Sequence, residues 1–180
     1  MNDFIINRSS QLIEKYKTRN PFEIAEALDI QVLFRNLGRL KGFYKRDGHN
    51  RFIVINDQIH ENLQRIVCAH ELGHDQLHRH LSSSHTLQEF MLYDMKSRPE
   101  YEANLFAAEI LLSNKDVLDH LKHGYGFYET ACLLNTDINL LAVKFMVINS
   151  AGHQLNIPVD LKSNFAFDVK PRDLFVVSKH

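Results

Sequence analysis

Apolar residues along this chain recur at two spacings, every third or fourth position and every second, and the switch between them lays out the elements. The helical spacing predicts a first helix from about Asn7 to Tyr16. A second helix follows Asn20-Pro21, a capping residue and a first-turn proline, with Ile24, Ala25 and Leu28 on one face. Ile30–Phe34, Leu40–Tyr44 and Phe52–Ile55 read as short strands, and Asp47-Gly48-His49-Asn50 supplies turn chemistry between the last two. From Glu61 to Leu81 the spacing is helical again, and Leu63, Ile66, Val67, His70, His74, Leu77 and Leu81 form one stripe. Two histidines therefore lie on the face that should be buried. An irregular stretch from Ser82 to Pro99 leads into a helix from about Pro99-Glu100 to Leu112, with Tyr101, Leu105, Ala108 and Leu112 as its apolar line. Helices over 114–122 and 127–148 are expected beyond it, the second broken around Asn135-Thr136-Asp137. Phe165, Phe167 and Val169 alternate in the tail, which suggests extended structure.

These elements predict an α+β fold in one domain, residues 1–180, with a core over about 1–148 and a C-terminal extension over 149–180. The expected arrangement is a small antiparallel sheet beside a helical core, with the helix of His70 and His74 against the sheet and the helix of Glu100 packed across it. A length of 180 residues suits one sizeable core. A formal net charge of −1 gives no bulk attraction to nucleic acid or to an anionic membrane. The apolar runs are far shorter than a membrane span, and the first residues lack a charged-then-apolar signal layout, so a cytoplasmic protein is expected. The two cysteines, Cys68 and Cys132, have no partner at metal-ligand spacing and read as two buried small hydrophobes.

Histidine stands out, with 11 in the chain and five of them between His70 and His85. His70-Glu71-Leu72-Gly73-His74 has the spacing H-E-x-x-H. Residues four apart on a helix differ by one turn, about 6 Å along the axis, so two imidazole nitrogens can converge on one Zn²⁺. Glu71 is rotated off that line and can face a water held by the metal, serving as general base. Gly73 costs about 1 kcal/mol inside a helix and suits a place where another backbone approaches closely. A catalytic zinc needs a third protein ligand. His80 stands six residues after His74, but the glycine that would let the chain swing back is replaced by Leu77. His78, one turn beyond His74, reads as an ordinary half-buried histidine. Glu100 is the better ligand, at the start of the next long helix, and Asn104 one turn on can orient a ligand from outside the coordination set. Glu102, about 200° around that helix, reads as a solvated carboxylate near the N-terminus, and Glu109 sits deep in the helix.

His70–His74, followed by Glu100-Tyr101-Glu102-Ala103-Asn104-Leu105-Phe106-Ala107-Ala108-Glu109-Ile110-Leu111-Leu112, resembles the ImmA/IrrE metallopeptidase family. Asn20–Leu28 is similar to that family's N-terminal helix, and the resemblance runs from about residue 15 to 148. It implies a thermolysin-like zinc site with His70, His74 and Glu100 on the metal and Glu71 as base. It also implies a protein substrate, usually a helix-turn-helix transcriptional repressor cleaved to derepress a mobile-element or stress regulon. Ser113-Asn114 departs from the Met-Pro that many members carry after the apolar run, which leaves the end of that helix open. His78, His153 and the tyrosines stand unranked as donors to the oxyanion. Two other readings remain: a zinc-binding regulatory or sensor protein that does not hydrolyse its partner, and a DNA-binding regulator. Tyr128–Leu134 and Ile138–Ile148 have helix-turn-helix proportions. Lys144 is the second segment's one basic residue, so a core helical hairpin without direct nucleic-acid contact is the expectation.

Overall fold

The computed structural model describes residues 2–79, 87–89 (backbone only), 97–158 and 161. His80, the tail residues Phe165, Phe167 and Val169, and most of the expected C-terminal extension lie outside the described residues. The helices are α1 (Asn2–Tyr16), α2 (Pro21–Ala27), α3 (Glu61–Leu77), α4 (Arg98–Leu111), α5 (Asn114–Lys122), α6 (Phe127–Leu133) and α7 (Ile138–Ser150). The strands are β1 (Gln31–Arg35), β2 (Gly42–Asp47), β3 (Asn50–Asn56) and β4 (Leu87–Glu89). The α+β class is as expected.

Local chemistry accounts for the boundaries. Asn20 caps α2 by accepting from the Phe22 N–H, and Pro21 occupies the first turn, where a missing N–H costs nothing. Ser97 caps α4 in the same way, with Pro99 just inside. α4 stops at Leu111, and Ser113 caps α5 by accepting from the Asp116 N–H, so Ser113-Asn114 ends one helix and starts the next. The hairpin between β2 and β3 turns at Gly48, whose φ of +59° a residue with a Cβ adopts reluctantly.

The sheet order is β1-β3-β2-β4, and the sheet is mixed rather than antiparallel as expected. β2 and β3 pair antiparallel with Tyr44 opposite Ile53, while β1 runs parallel to β3 with Leu33 opposite Val54. The segment from 36 to 41 carries the chain past the end of β3, leaving β3 to fold back between its predecessors. Buried Asn56 holds that crossover, its Nδ2 donating to the carbonyls of Gly38 (3.0 Å) and Leu40 (2.8 Å). Backbone carbonyls leaving a ladder need such partners.

α3 lies between the sheet and α4, which packs in turn against α1 and α7. Two glycines set the spacing of these layers. A Cβ on Gly73 would stand 3.1 Å from Ala103 Cα, so α3 and α4 touch backbone to backbone. A Cβ on Gly42 would collide with Val67 Cγ1 and come within 3.0 Å of the Val54 carbonyl, so β2 lies equally close on the other side. α7 is a buried helix and its Lys144 bonds to Glu109 of α4 inside the core, so this hairpin presents no basic groove-reading face. Among the described residues no single helix is long and apolar enough to cross a membrane.

Candidate metal centre

α3 turns His70 and His74 inward, both at 1% exposure or less. The stripe accounts for this: Ile66 and Val67 bury one turn before and carry the histidines in with them, and α3 is buried all round from Ile66 to Asp75. α4 begins opposite. The pairing of Gly73 with Ala103 fixes how close it comes, and the first turn of α4 brings Glu100 over both rings. His70 Nε2 stands 3.1 Å from Glu100 Oε2 and 3.1 Å from His74 Nε2, and His74 Nε2 stands 3.5 Å from Glu100 Oε1. A tetrahedron with bonds of about 2.0–2.1 Å has edges of about 3.3–3.4 Å, and these separations, with one Glu100 oxygen toward each histidine, are of that size. Among the described residues these three form the cluster able to hold a metal ion.

Protonation fits the same conclusion. His70 Nδ1 lies 3.0 Å from Asn104 Oδ1, which can only accept, so the proton belongs on Nδ1 and Nε2 keeps its lone pair. Burial pushes the His74 imidazole down to about 4, against the Glu100 carboxylate beside it that raises it, so His74 is neutral at neutral pH. Burial drives the Glu100 carboxyl upward, but the His70 and His74 rings against it outweigh burial and hold it well below the usual carboxylate range. The Nε2 atoms of His70 and His74 and the Glu100 carboxylate thus converge on a common point. A divalent cation suits that donor set.

Glu71 is fully buried on the neighbouring face of α3, toward β2. Its Oε1 lies 3.8 Å from the position a Cβ on Gly42 would take, and its charge adds to burial in pushing the Cys68 thiol up. It stands beside the ligand cluster without belonging to it.

Several residues depart from expectation. His78 is buried rather than half-buried: its Nδ1 lies 3.2 Å from His74 Nδ1 and its Nε2 lies 2.8 Å from Glu102 Oε2. Glu102 faces away from the cluster as expected, but it is not an ordinary solvated carboxylate. Burial raises its carboxyl, and hydrogen bonds from Arg98 (2.7 Å) and His78 outweigh burial and lower it. With both ring nitrogens engaged, His78 is not presented as an oxyanion donor, and His153 is exposed. Cys68 is buried, but Cys132 is exposed, because α6 turns Thr130 and Ala131 to the core instead.

Asp75, beside His74, escaped the sequence reading. It is fully buried and accepts from the Tyr44 hydroxyl on β2 (2.7 Å), from Arg51 Nη1 on β3 (3.1 Å) and from Arg79 Nη2 (3.1 Å). Arg51 Nη2 also donates to the Leu28 carbonyl at the end of α2. One carboxylate therefore ties the ligand-bearing helix to two strands and a second helix. The sequence signal is faint: an acid one residue after the second histidine, with arginines whose spatial neighbours are not legible from spacing.

Residues 25–153 match the family model described as the IrrE N-terminal-like domain. Over 103 residues, 57% of this chain and 64% of the relative, the sequence is 44% identical to uncharacterized immunity region protein 2 of Bacillus phage phi105. Over 125 residues, 68% of this chain and 72% of the relative, it is 32% identical to the metallopeptidase ImmA of Bacillus subtilis (strain 168). The chain thus spans somewhat less than two thirds of the first relative's length. A family match across most of the chain, joined to a histidine–histidine–glutamate cluster of metal-binding geometry, places this protein in the ImmA/IrrE metallopeptidase family.

Proposed function

We propose that this chain is a zinc-dependent endopeptidase that cleaves a helix-turn-helix transcriptional repressor and so derepresses a mobile-element or stress regulon. The convergence of His70, His74 and Glu100, with Glu71 beside them, carries this reading. The two relatives, one an immunity region protein of a phage and one a metallopeptidase, support this reading. The work is assigned to the cytoplasm, where such repressors act, and to the chain acting as one domain.

In this reading His70, His74 and Glu100 hold the ion, and Asn104 keeps the His70 ring turned toward it. The ion, when bound, supplies Lewis acidity toward the scissile carbonyl and makes water a nucleophile near neutral pH. Glu71 takes the proton from the attacking water and passes it to the departing amide nitrogen. Its position against β2 puts that transfer beside the sheet, where β4, paired to β2, forms the edge. A peptide extended along this edge would meet α3 side-on, as strand addition requires.

Wild type, Glu71→Gln and Glu100→Ala, purified together, test the proposal. Zinc analysis should find one equivalent in wild type and Glu71→Gln, and little in Glu100→Ala. Incubation with a repressor encoded beside the gene should give two fragments with wild type alone. A zinc-loaded wild type that binds the repressor and leaves it intact would favour the sensor reading and overturn the peptidase.

A further inference from the structure

We propose that His78 and Glu102 form a relay that positions the His74 ring for the metal, with Arg98 as its outer anchor. This inference rests on the metal-centre reading above and extends it to residues that bind no ion. His74 faces the ligand cluster through Nε2, so its other nitrogen, Nδ1, must carry the proton and needs an acceptor. His78 Nδ1 lies 3.2 Å away. It accepts only if the His78 proton sits on Nε2, and that nitrogen lies 2.8 Å from Glu102 Oε2, an acceptor. Glu102 Oε1 in turn receives the Arg98 Nε–H at 2.7 Å. One arrangement of hydrogen bonds therefore fits: His74 donates to His78, His78 donates to Glu102, and Arg98 donates to the same carboxylate from the outer side. The reverse direction would put a proton on the nitrogen that faces the cluster.

The sequence places these groups at need. His74 and His78 are one turn apart on α3 and its C-terminal cap. Arg98 and Glu102 are one turn apart on α4, on the flank away from Glu100. α4 consequently serves both histidines: Asn104 bonds behind His70, and Glu102 acts behind His74 through an inserted ring. Partners that fix the tautomer and angle of a ligating histidine typically change metal affinity about 10- to 100-fold when lost.

The experiment measures Zn²⁺ affinity by chelator competition on folded apo-protein. It compares wild type, Glu102→Gln, His78→Phe and the double variant, with Glu100→Ala as reference. Co²⁺-loaded samples give visible spectra in parallel. Glu102→Gln should weaken Zn²⁺ binding about tenfold and His78→Phe up to about 100-fold. Because Glu102 acts only through His78, adding Glu102→Gln to His78→Phe should change affinity less than twofold, a coupling that independent packing losses would not give. The Co²⁺ absorption bands should shift in both single variants. If His78→Phe does not fold, Glu102→Gln carries the test, since it keeps the shape while removing the charge and one of the two acceptor oxygens. Wild-type affinity and spectra in Glu102→Gln would overturn the relay while Glu100→Ala still loses the metal. Full retention of metal by Glu100→Ala would instead sink the metal-centre reading itself.

Discussion

Replacing Gly73 with alanine adds one methyl group where α3 and α4 come closest. The new Cβ would stand 3.1 Å from Ala103 Cα, 3.2 Å from the Ala103 carbonyl oxygen and 3.3 Å from Phe106 Cβ. Two of these atoms are backbone and the third is a first side-chain carbon, so none can rotate away, and the helices must part by a few tenths of an ångström. Alanine gains about 1 kcal/mol of helix propensity over glycine. Overpacking of this kind costs about 1–3 kcal/mol. The fold should therefore lose no more than about 2 kcal/mol. The metal centre should suffer more, because His70 and His74 ride on α3 while Glu100 rides on α4. Ligand distances in such sites hold to about 0.2 Å, so even this small parting spoils the third ligand and leaves the two histidines undisturbed. We expect zinc affinity in Gly73→Ala to fall at least about tenfold, equivalent to about 1.4 kcal/mol. Chelator competition on the folded protein measures that loss, and urea unfolding of the apo form measures stability. An apo-protein stabilised by about 1 kcal/mol, with unchanged zinc affinity, would refute the claim that this helix contact spaces the ligands.

Three further outcomes follow from the described packing. Asp75→Ala should destabilise the fold by about 3–5 kcal/mol, because Arg51 and the Tyr44 hydroxyl lose a buried acceptor; Asp75→Asn, which keeps an oxygen there, should cost less, and thermal melts rank the two. Lys144→Met strands the Glu109 carboxylate in the core and should cost about 3–5 kcal/mol, whereas Lys144→Met with Glu109→Leu should unfold within about 2 kcal/mol of wild type in urea. Burial, with Glu71's charge, pushes the Cys68 thiol up and keeps it protonated, so a thiol reagent at pH 8 should label Cys132 alone in the native protein and both cysteines in denaturant.

The parts of this molecule written as periodicity were readable from the chain. The stripe through Ile66, Val67, His70 and His74 gave α3 and the burial of both histidines, and Asn20-Pro21, Asp47–Asn50 and Asn135–Asp137 marked breaks where the structure has them. Glu100 opens the next long helix, and its carboxylate lies against both rings. Pairings across the fold were less accessible. Nothing in the local pattern of Gln31–Arg35 says that it adds to β3 in parallel, since the partner of a strand is a property of the sheet. Arg51 with Asp75, Lys144 with Glu109 and Glu102 with His78 each join elements far apart in sequence, and each looks like a solvated charge until packing brings its partner. The first turn of α1 was missed for a related reason: Ile5 is buried only because α4 lies against that helix.

The three candidate ligands are unevenly distributed in time as well as in space. During synthesis His70 and His74 leave the ribosome 30 residues or so ahead of Glu100. Until α4 has emerged and docked against α3, the nascent chain offers an ion the two imidazoles without the Glu100 carboxylate. Full loading is then a late event in maturation, open only to chains that have completed their central helix pair. For a hydrolase proposed to cut proteins, that sequence of events keeps a half-made or truncated copy inert.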